Sequence, residues 1–320
     1  MRIVFMGSPV EVIAPLQSLL DWCQNSAQHQ VVGVVSQPPR PSGRSRRLQD
    51  PPLAQFAKEQ GLAVLQPEKA RAPEFLEQLR AWQPDIAVTA AYGQILSDDF
   101  LAIPKRATIN IHPSLLPAYR GATPVQSALL DQLETSGVTI LFTVKQLDAG
   151  AIIVQQASDI ARHERAGELM QRLFQLGGTL LPQAIESLQD PEFVGTAQDP
   201  EKVTHCSKIQ KTDGQINWQD ATKSILARYR AYHPWPSSFT FYDDKRIVIE
   251  ELALVDQDLP ASAHSLPIGG FIFHKPWKAL VIRTGDGFLV CERLKPQGAK
   301  SLDAASFCNG LKGEKKGIFQ

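Results

Sequence analysis

The sequence predicts an α/β fold with a mostly parallel sheet, followed by a small antiparallel β-barrel, on three observations. Short Val- and Ile-rich runs alternate with helical patterns over the first part of the chain. A polar, turn-rich stretch of weak periodicity follows. Beyond it, short strands recur between Asp-Asp, Gly-Gly and Gly-Asp-Gly turns. At 320 residues and 43% hydrophobic, the chain buries a full core and exceeds the usual single-domain size.

Taken in order, residues 2–6, 31–35, 63–65, 86–90, 108–112 and 138–144 read as strands. Residues 9–20, 53–60, 73–82, 123–133 and 167–188 read as the intervening helices, with Pro9, Pro73 and Pro124 near helix starts, where a missing N–H costs little. The first domain is expected to span residues 1–190, a linker residues 191–213 and the second domain residues 214–320. In the second domain a helix at 221–232 precedes strands at 239–242, 246–254, 270–273, 279–283 and 288–291.

The 33 basic and 33 acidic side chains cancel, so overall charge gives no argument for nucleic-acid binding and only local clusters count. Cys23, Cys206, Cys291 and Cys308 are scattered without a CxxC pair, which reads as buried or inert thiols in a reducing compartment. The histidines show no ligand spacing, so no metal is expected. The apolar start is too short for a signal peptide and no run reaches membrane-spanning length, which makes the cytoplasm the expected location. Gly7-Ser8-Pro9 after the first strand lacks the further glycines of G-x-G-x-x-G, which argues against a dinucleotide site.

On the strand Thr108-Ile109-Asn110-Ile111-His112, the two-residue period puts Asn110 and His112 on one face and both isoleucines on the other. The loop from Pro113 to Gly121, stiffened by two prolines and carrying Arg120, follows at once. Asp148 comes after another strand and can reach the same sheet edge, where open α/β sheets bind ligands. Singly, each of the three also reads as a structural polar group; together they form a candidate catalytic set.

Asn110-Ile111-His112-Pro113-Ser114-Leu115-Leu116-Pro117 with the later Asp148-Ala149-Gly150 resembles the folate-dependent formyltransferases, a likeness that covers nearly the whole chain. Tyr232-His233-Pro234-Trp235-Pro236 resembles the branch of that family that acts on tRNA. The resemblance implies a Rossmann-like catalytic domain, an OB-like C-terminal tRNA-binding domain, and Asn110, His112 and Asp148 as catalytic residues: an amine attacking the formyl carbon makes a tetrahedral oxyanion, for which Asn110 and His112 supply donors, while Asp148 supports a charged His112 and helps remove the amine's proton. It implies 10-formyltetrahydrofolate as co-substrate and initiator methionyl-tRNA as partner; a monomer is expected, although the sequence alone does not determine the oligomeric state.

Ala90–Leu96 resembles the family's pterin-pocket loop, which makes Tyr92, Gly93, Gln94, Ile95 and Leu96, with Ser114, Leu115, Leu116 and Pro117, the expected folate-binding residues. The same loop also reads as a plain turn needing glycine. Where relatives read Asp-Thr-Gly-Asp, this chain has Asp148-Ala149-Gly150-Ala151, losing a hydroxyl and a carboxylate that would order the turn. The proline-rich insertion at 36–48 carries Arg40, Arg44, Arg46 and Arg47 and resembles the arm that enters the tRNA acceptor end; with Lys208 and Lys211 these are the expected tRNA contacts. The alternatives are the same chemistry on another amine, hydrolysis of the formyl-folate, or a noncatalytic RNA-binding protein on a decayed scaffold, suggested by Ala149 and Ala151.

Overall fold

The apolar stretch at the N-terminus becomes β1 (Arg2–Gly7), whose pleat sends Ile3 and Phe5 into one core and Val4 and Met6 into another. Burial on both faces is the signature of a central strand in a doubly covered sheet. The computed structural model describes residues 1–42, 47–256, 258–311 and 316–320. Two compact units emerge: Met1–Val125 with Glu134–Ile160 and Glu168–Ser207, and Gln126–Leu133 with Ala161–Gly167 and Lys208–Gln320.

In the first unit, β1 is followed by β2 (Gln30–Val35), a ribbon of β3 (Arg40–Ser42) and β4 (Arg47–Gln49), β5 (Val64–Leu65), β6 (Ile86–Ala90) and β7 (Ala107–His112). Then come β8 (Arg120–Gly121), β9 (Thr135–Phe142), β10 (Ile152–Asp159) and β11 (His205–Cys206). The main sheet runs β10-β9-β7-β6-β1-β2-β5. Its β1, β2, β5, β6 and β7 pair in parallel, and β9 and β10 add to one edge antiparallel. Helices α1 (Ile13–Gln24), α2 (Pro52–Glu59), α3 (Pro73–Ala81), α4 (Asp98–Leu101) and most of α6 (Ala166–Ser187) intervene, while α5 (Pro124–Leu130) falls mostly in the second unit. Leu16 and Leu19 of α1 and Phe174, Leu181 and Ile185 of α6 cover one face; Phe75, Leu76 and Leu79 of α3 and Phe100 of α4 cover the other.

The sequence reading missed β10. Its ladder is formed with β9 at the sheet edge, and its exposed Gln155 and Gln156 break the apolar run that marks the inner strands. The insertion at 36–48, read as a loop, forms the β3–β4 ribbon, with Arg40 opposite Gln49 and Ser42 opposite Arg47. Within residues 191–207, Thr196 and Ile152 exchange two 2.8 Å backbone hydrogen bonds, and β11 pairs with β8.

The second unit holds α7 (Thr222–Ala231), β12 (Phe239–Tyr242), β13 (Lys245–Leu254), β14 (Gly270–His274), β15 (Ala279–Arg283), β16 (Phe288–Pro296), β17 (Leu302–Asp303), α8 (Ala304–Asn309) and β18 (Lys316–Ile318). The antiparallel path β12-β13-β16-β15-β14-β18 nearly closes, because Phe241 of β12 and Gln320 exchange backbone hydrogen bonds of 3.3 and 2.9 Å. Ile247, Ile249, Phe271, Leu280, Ile282 and Leu289 fill the interior, and Trp218 stacks on Phe319. Among the described residues no helix is long and apolar enough to cross a membrane.

Candidate active site

Strand β7 presents the candidate residues because its pleat separates two faces. Ile109 and Ile111 are buried in the core under α6, while Asn110 and His112 occupy the opposite face at the strand's C-terminal end. In the parallel register Thr89 of β6 lies beside Asn110, and its hydroxyl donates to Asn110 Oδ1 at 2.8 Å. The same hydroxyl lies 3.1 Å from the Ile109 carbonyl, and it is Asp148, whose carboxylate can only accept, that sets the amide orientation: the Nδ2 hydrogens point toward its Oδ1 at 3.5 Å, a long contact that leaves donor capacity to spare.

His112 is 4% exposed, and its Nε2 lies 3.0 Å from the Tyr119 carbonyl. A carbonyl only accepts, so Nε2 carries the hydrogen and Nδ1 is the nitrogen that titrates. Nδ1 faces Asp148 Oδ2 at 3.6 Å. Burial pushes the imidazole below its ordinary value, opposed by the Asp148 carboxylate and the Tyr119 carbonyl. A mostly proton-free Nδ1 beside a carboxylate is a group able to accept a proton and have the resulting charge stabilised.

Asp148 sits at φ +51° in the loop joining β9 to β10, a conformation that aspartate tolerates better than most residues. Gly121 N–H donates to its Oδ2 at 2.9 Å, and Gln198 Nε2 donates at 2.8 Å to the carbonyls of both Asp148 and Gly150. Gly150 is obligatory: a Cβ there would lie 1.8 Å from the Phe142 carbonyl oxygen. The structure thus brings Asn110, His112 and Asp148 together from β7 and the β9–β10 loop.

The other expected residues divide. Ser114 and Leu116 are buried: Ser114 Oγ donates to Ala118 O at 2.8 Å, and Leu116 N donates to Thr139 Oγ1 at 3.2 Å. They brace the loop from below, beside the partly exposed Leu115 and Pro117. After β6, the Tyr92 ring is buried, Gln94 Oε1 accepts from Ala70 N at 2.7 Å, and Leu96 packs on the core. Gly93, at φ +81°, and Ile95, 92% exposed, are left facing outward. Arg40 and Arg47 are exposed on the ribbon, and Lys208 and Lys211 are exposed in the second unit. Arg44 and Arg46 lie outside the described residues.

Sequence reasoning missed Thr89, Gln37 and Gln198. Thr89 left a signal, as the one polar residue in Ile86–Ala90. Gln37, whose Nε2 donates to Tyr92 O at 2.9 Å, and Gln198 left none. Among the described residues no group of three or more His, Cys, Asp or Glu could hold a metal ion.

Residues 1–185 match the family model described as formyl transferase, and residues 208–312 match that of the formyl transferase C-terminal domain. A methionyl-tRNA formyltransferase of Chloroflexus aggregans is 39% identical over 311 residues, covering 97% of each chain. One from Staphylococcus aureus is 36% identical over 310 residues, covering 97% of this chain and 96% of that one. Among solved structures, glycinamide ribonucleotide transformylase 1 from Symbiobacterium toebii aligns at TM-score 0.50 and 26% identity, over 58% of this chain and 85% of that one. HypX from Aquifex aeolicus in complex with tetrahydrofolic acid aligns at TM-score 0.64 over 98% of this chain and 48% of that one, so this chain spans about half of HypX. At 17% identity the HypX likeness speaks for the fold alone.

Proposed function

The chain belongs to the formyl transferase family, and on that premise we propose that it transfers a formyl group from 10-formyltetrahydrofolate to the free amine of initiator methionyl-tRNA, for translation initiation. Residues 1–190 would then carry the chemistry, 191–213 the connection and 214–320 tRNA binding. The meeting of Asn110, His112 and Asp148 at the C-terminal sheet edge carries the reading.

The donor supplies a formyl carbon bound to a nitrogen able to leave. Attack by an amine puts negative charge on the formyl oxygen and releases one proton. Asn110 Nδ2, oriented by Asp148, donates to that oxygen. The Asp148 carboxylate, anchored on one oxygen by Gly121 N–H, receives the amine's proton jointly with His112 Nδ1. The pair returns it to the departing nitrogen, so no net proton is consumed.

The loop after β6 fits a folate. At Gly93 a Cβ would meet only Gln37 Nε2, at 3.5 Å, so the backbone there is open to a ring edge, while Tyr92, Gln94 and Leu96 hold it in place. Ser114 and Leu116 support the neighbouring loop, and Leu115, Pro117 and Ile95 flank the ligand. The near-full-length likeness to relatives named for methionyl-tRNA favours that acceptor over a sugar amine or a ribotide. Arg40, Arg47, Lys208 and Lys211 present exposed cations for its phosphates, and Arg44 and Arg46 belong to the same reading. The free Cys23, Cys206, Cys291 and Cys308 suit a reducing cytoplasm, where the enzyme acts as a monomer.

The test is single-turnover transfer to methionylated initiator tRNA, beside uncharged tRNA and a control without tRNA. Formyl-methionine formed only with charged tRNA is the expected result. Folate consumption without that product means hydrolysis or another amine, and no consumption means a binding protein.

A further inference from the structure

We propose that Gln198 is a positioning residue for the transfer, tying the Asp148 turn to Arg120 and so holding the carboxylate against His112. Its side-chain amide is used completely. Oε1 accepts from Arg120 Nε at 3.0 Å and Nη2 at 2.8 Å, and Nε2 donates at 2.8 Å to each of the Asp148 and Gly150 carbonyls. Two donors converge on the oxygen and two carbonyls on the nitrogen, so the amide has one possible orientation. Arg120 is 7% exposed, and a buried guanidinium with this acceptor removed is costly.

The turn that Gln198 grips needs an outside hold. Asp148 is in the left-handed region at φ +51°, and its neighbours Ala149 and Ala151 have no side-chain polar group with which to order it. Arg120, at the other end of the clamp, lies between the two backbone groups that orient the acid–base pair: the Tyr119 carbonyl on His112 and the Gly121 N–H on Asp148. One amide therefore fixes the turn bearing the carboxylate to the loop bearing both of its orienting contacts. A displacement of about 1 Å at such a pair lowers turnover by up to about 100-fold without weakening substrate binding.

The inference rests on the proposed transfer reaction, and its test separates the two. Gln198→Leu removes both halves of the clamp. Gln198→Glu keeps an acceptor for Arg120 but sets an anionic oxygen against the two carbonyls. Wild type and both variants are assayed for kcat and for KM of folate and charged tRNA across pH, with thermal unfolding and circular dichroism on the same samples. The expected result is kcat lowered on the order of 10-fold to 100-fold in both, with KM changed by less than about twofold. Among the described residues Asp148 is the charged group that faces His112, at 3.6 Å, and drawing its carboxylate away moves the histidine limb of the kcat profile to lower pH. Wild-type kcat in folded Gln198→Glu, or a loss in both variants that scales with the unfolded fraction alone, overturns the proposal. Absence of transfer by the wild type overturns the parent reading instead, and the positioning role with it.

Discussion

A carbonyl contact decides how His112 works. Because Tyr119 O can only accept, Nε2 keeps its hydrogen and every protonation change occurs at Nδ1, against Asp148. Burial holds the folded-state value below the ordinary 6.5, so below that pH the folded protein binds fewer protons than the unfolded chain. The stability contributed by a neutral His112 is therefore complete above about pH 6.5 and lost as pH falls through the lowered value. Urea unfolding at pH 7.5 and pH 5 should show a smaller acid-side loss in His112→Gln than in wild type. For Asn110→Ala, the loss of an oxyanion donor predicts turnover lower by roughly 10²–10³ in a protein of unchanged fold. Near-normal turnover would remove Asn110 from the chemistry. Asp148 explains why this amide is ready: its carboxylate can only accept, so the donor side faces it before substrate arrives.

At the scale of the element, the β9–β10 connection is the demanding part. It carries Asp148 in a left-handed conformation and brings Gly150 against the Phe142 carbonyl so closely that a Cβ would overlap at 1.8 Å. Gly150→Ala must therefore shift backbone; the expected cost is about 1–3 kcal/mol of stability, read from urea midpoints, and turnover lower on the order of 100-fold. If activity survives, Asp148 does not need this turn geometry. The inner strands were legible because burial on both faces leaves continuous Val and Ile runs. β10 and the later part of β16 were not, since exposed side chains such as Gln155, Gln156 and Lys295 dilute the pattern while the hydrogen bonds that define a strand come from its neighbour. α8 and the short β18, at the end of the chain, also escaped, being too brief for a periodicity to declare itself.

Across the whole molecule, zero formal net charge means that no long-range field of one sign draws in an RNA. Any tRNA affinity must come from local cations, which makes its salt dependence a count of specific residues. Replacing both Arg40 and Arg47 by alanine should lessen the slope of log affinity against log salt by about 1.5, at close to one phosphate each. Titration of charged initiator tRNA between about 50 and 200 mM salt measures it. An unchanged slope would take the ribbon out of the interface.

The α/β class, the apolar strands, the shared face of Asn110 and His112, and the family were legible in the linear chain, because each is written in short motifs and periodicities along it. The contact of Thr89 with Asn110, the histidine tautomer set by Tyr119 and the grip of Gln198 on the Asp148 turn emerged with the folded chain. Gln198 reaches partners 50 and 78 residues away, and a side-chain amide carries no periodicity of its own. Local patterns record which face a residue presents; which distant group satisfies a buried donor or acceptor is settled only when the chain has closed around it.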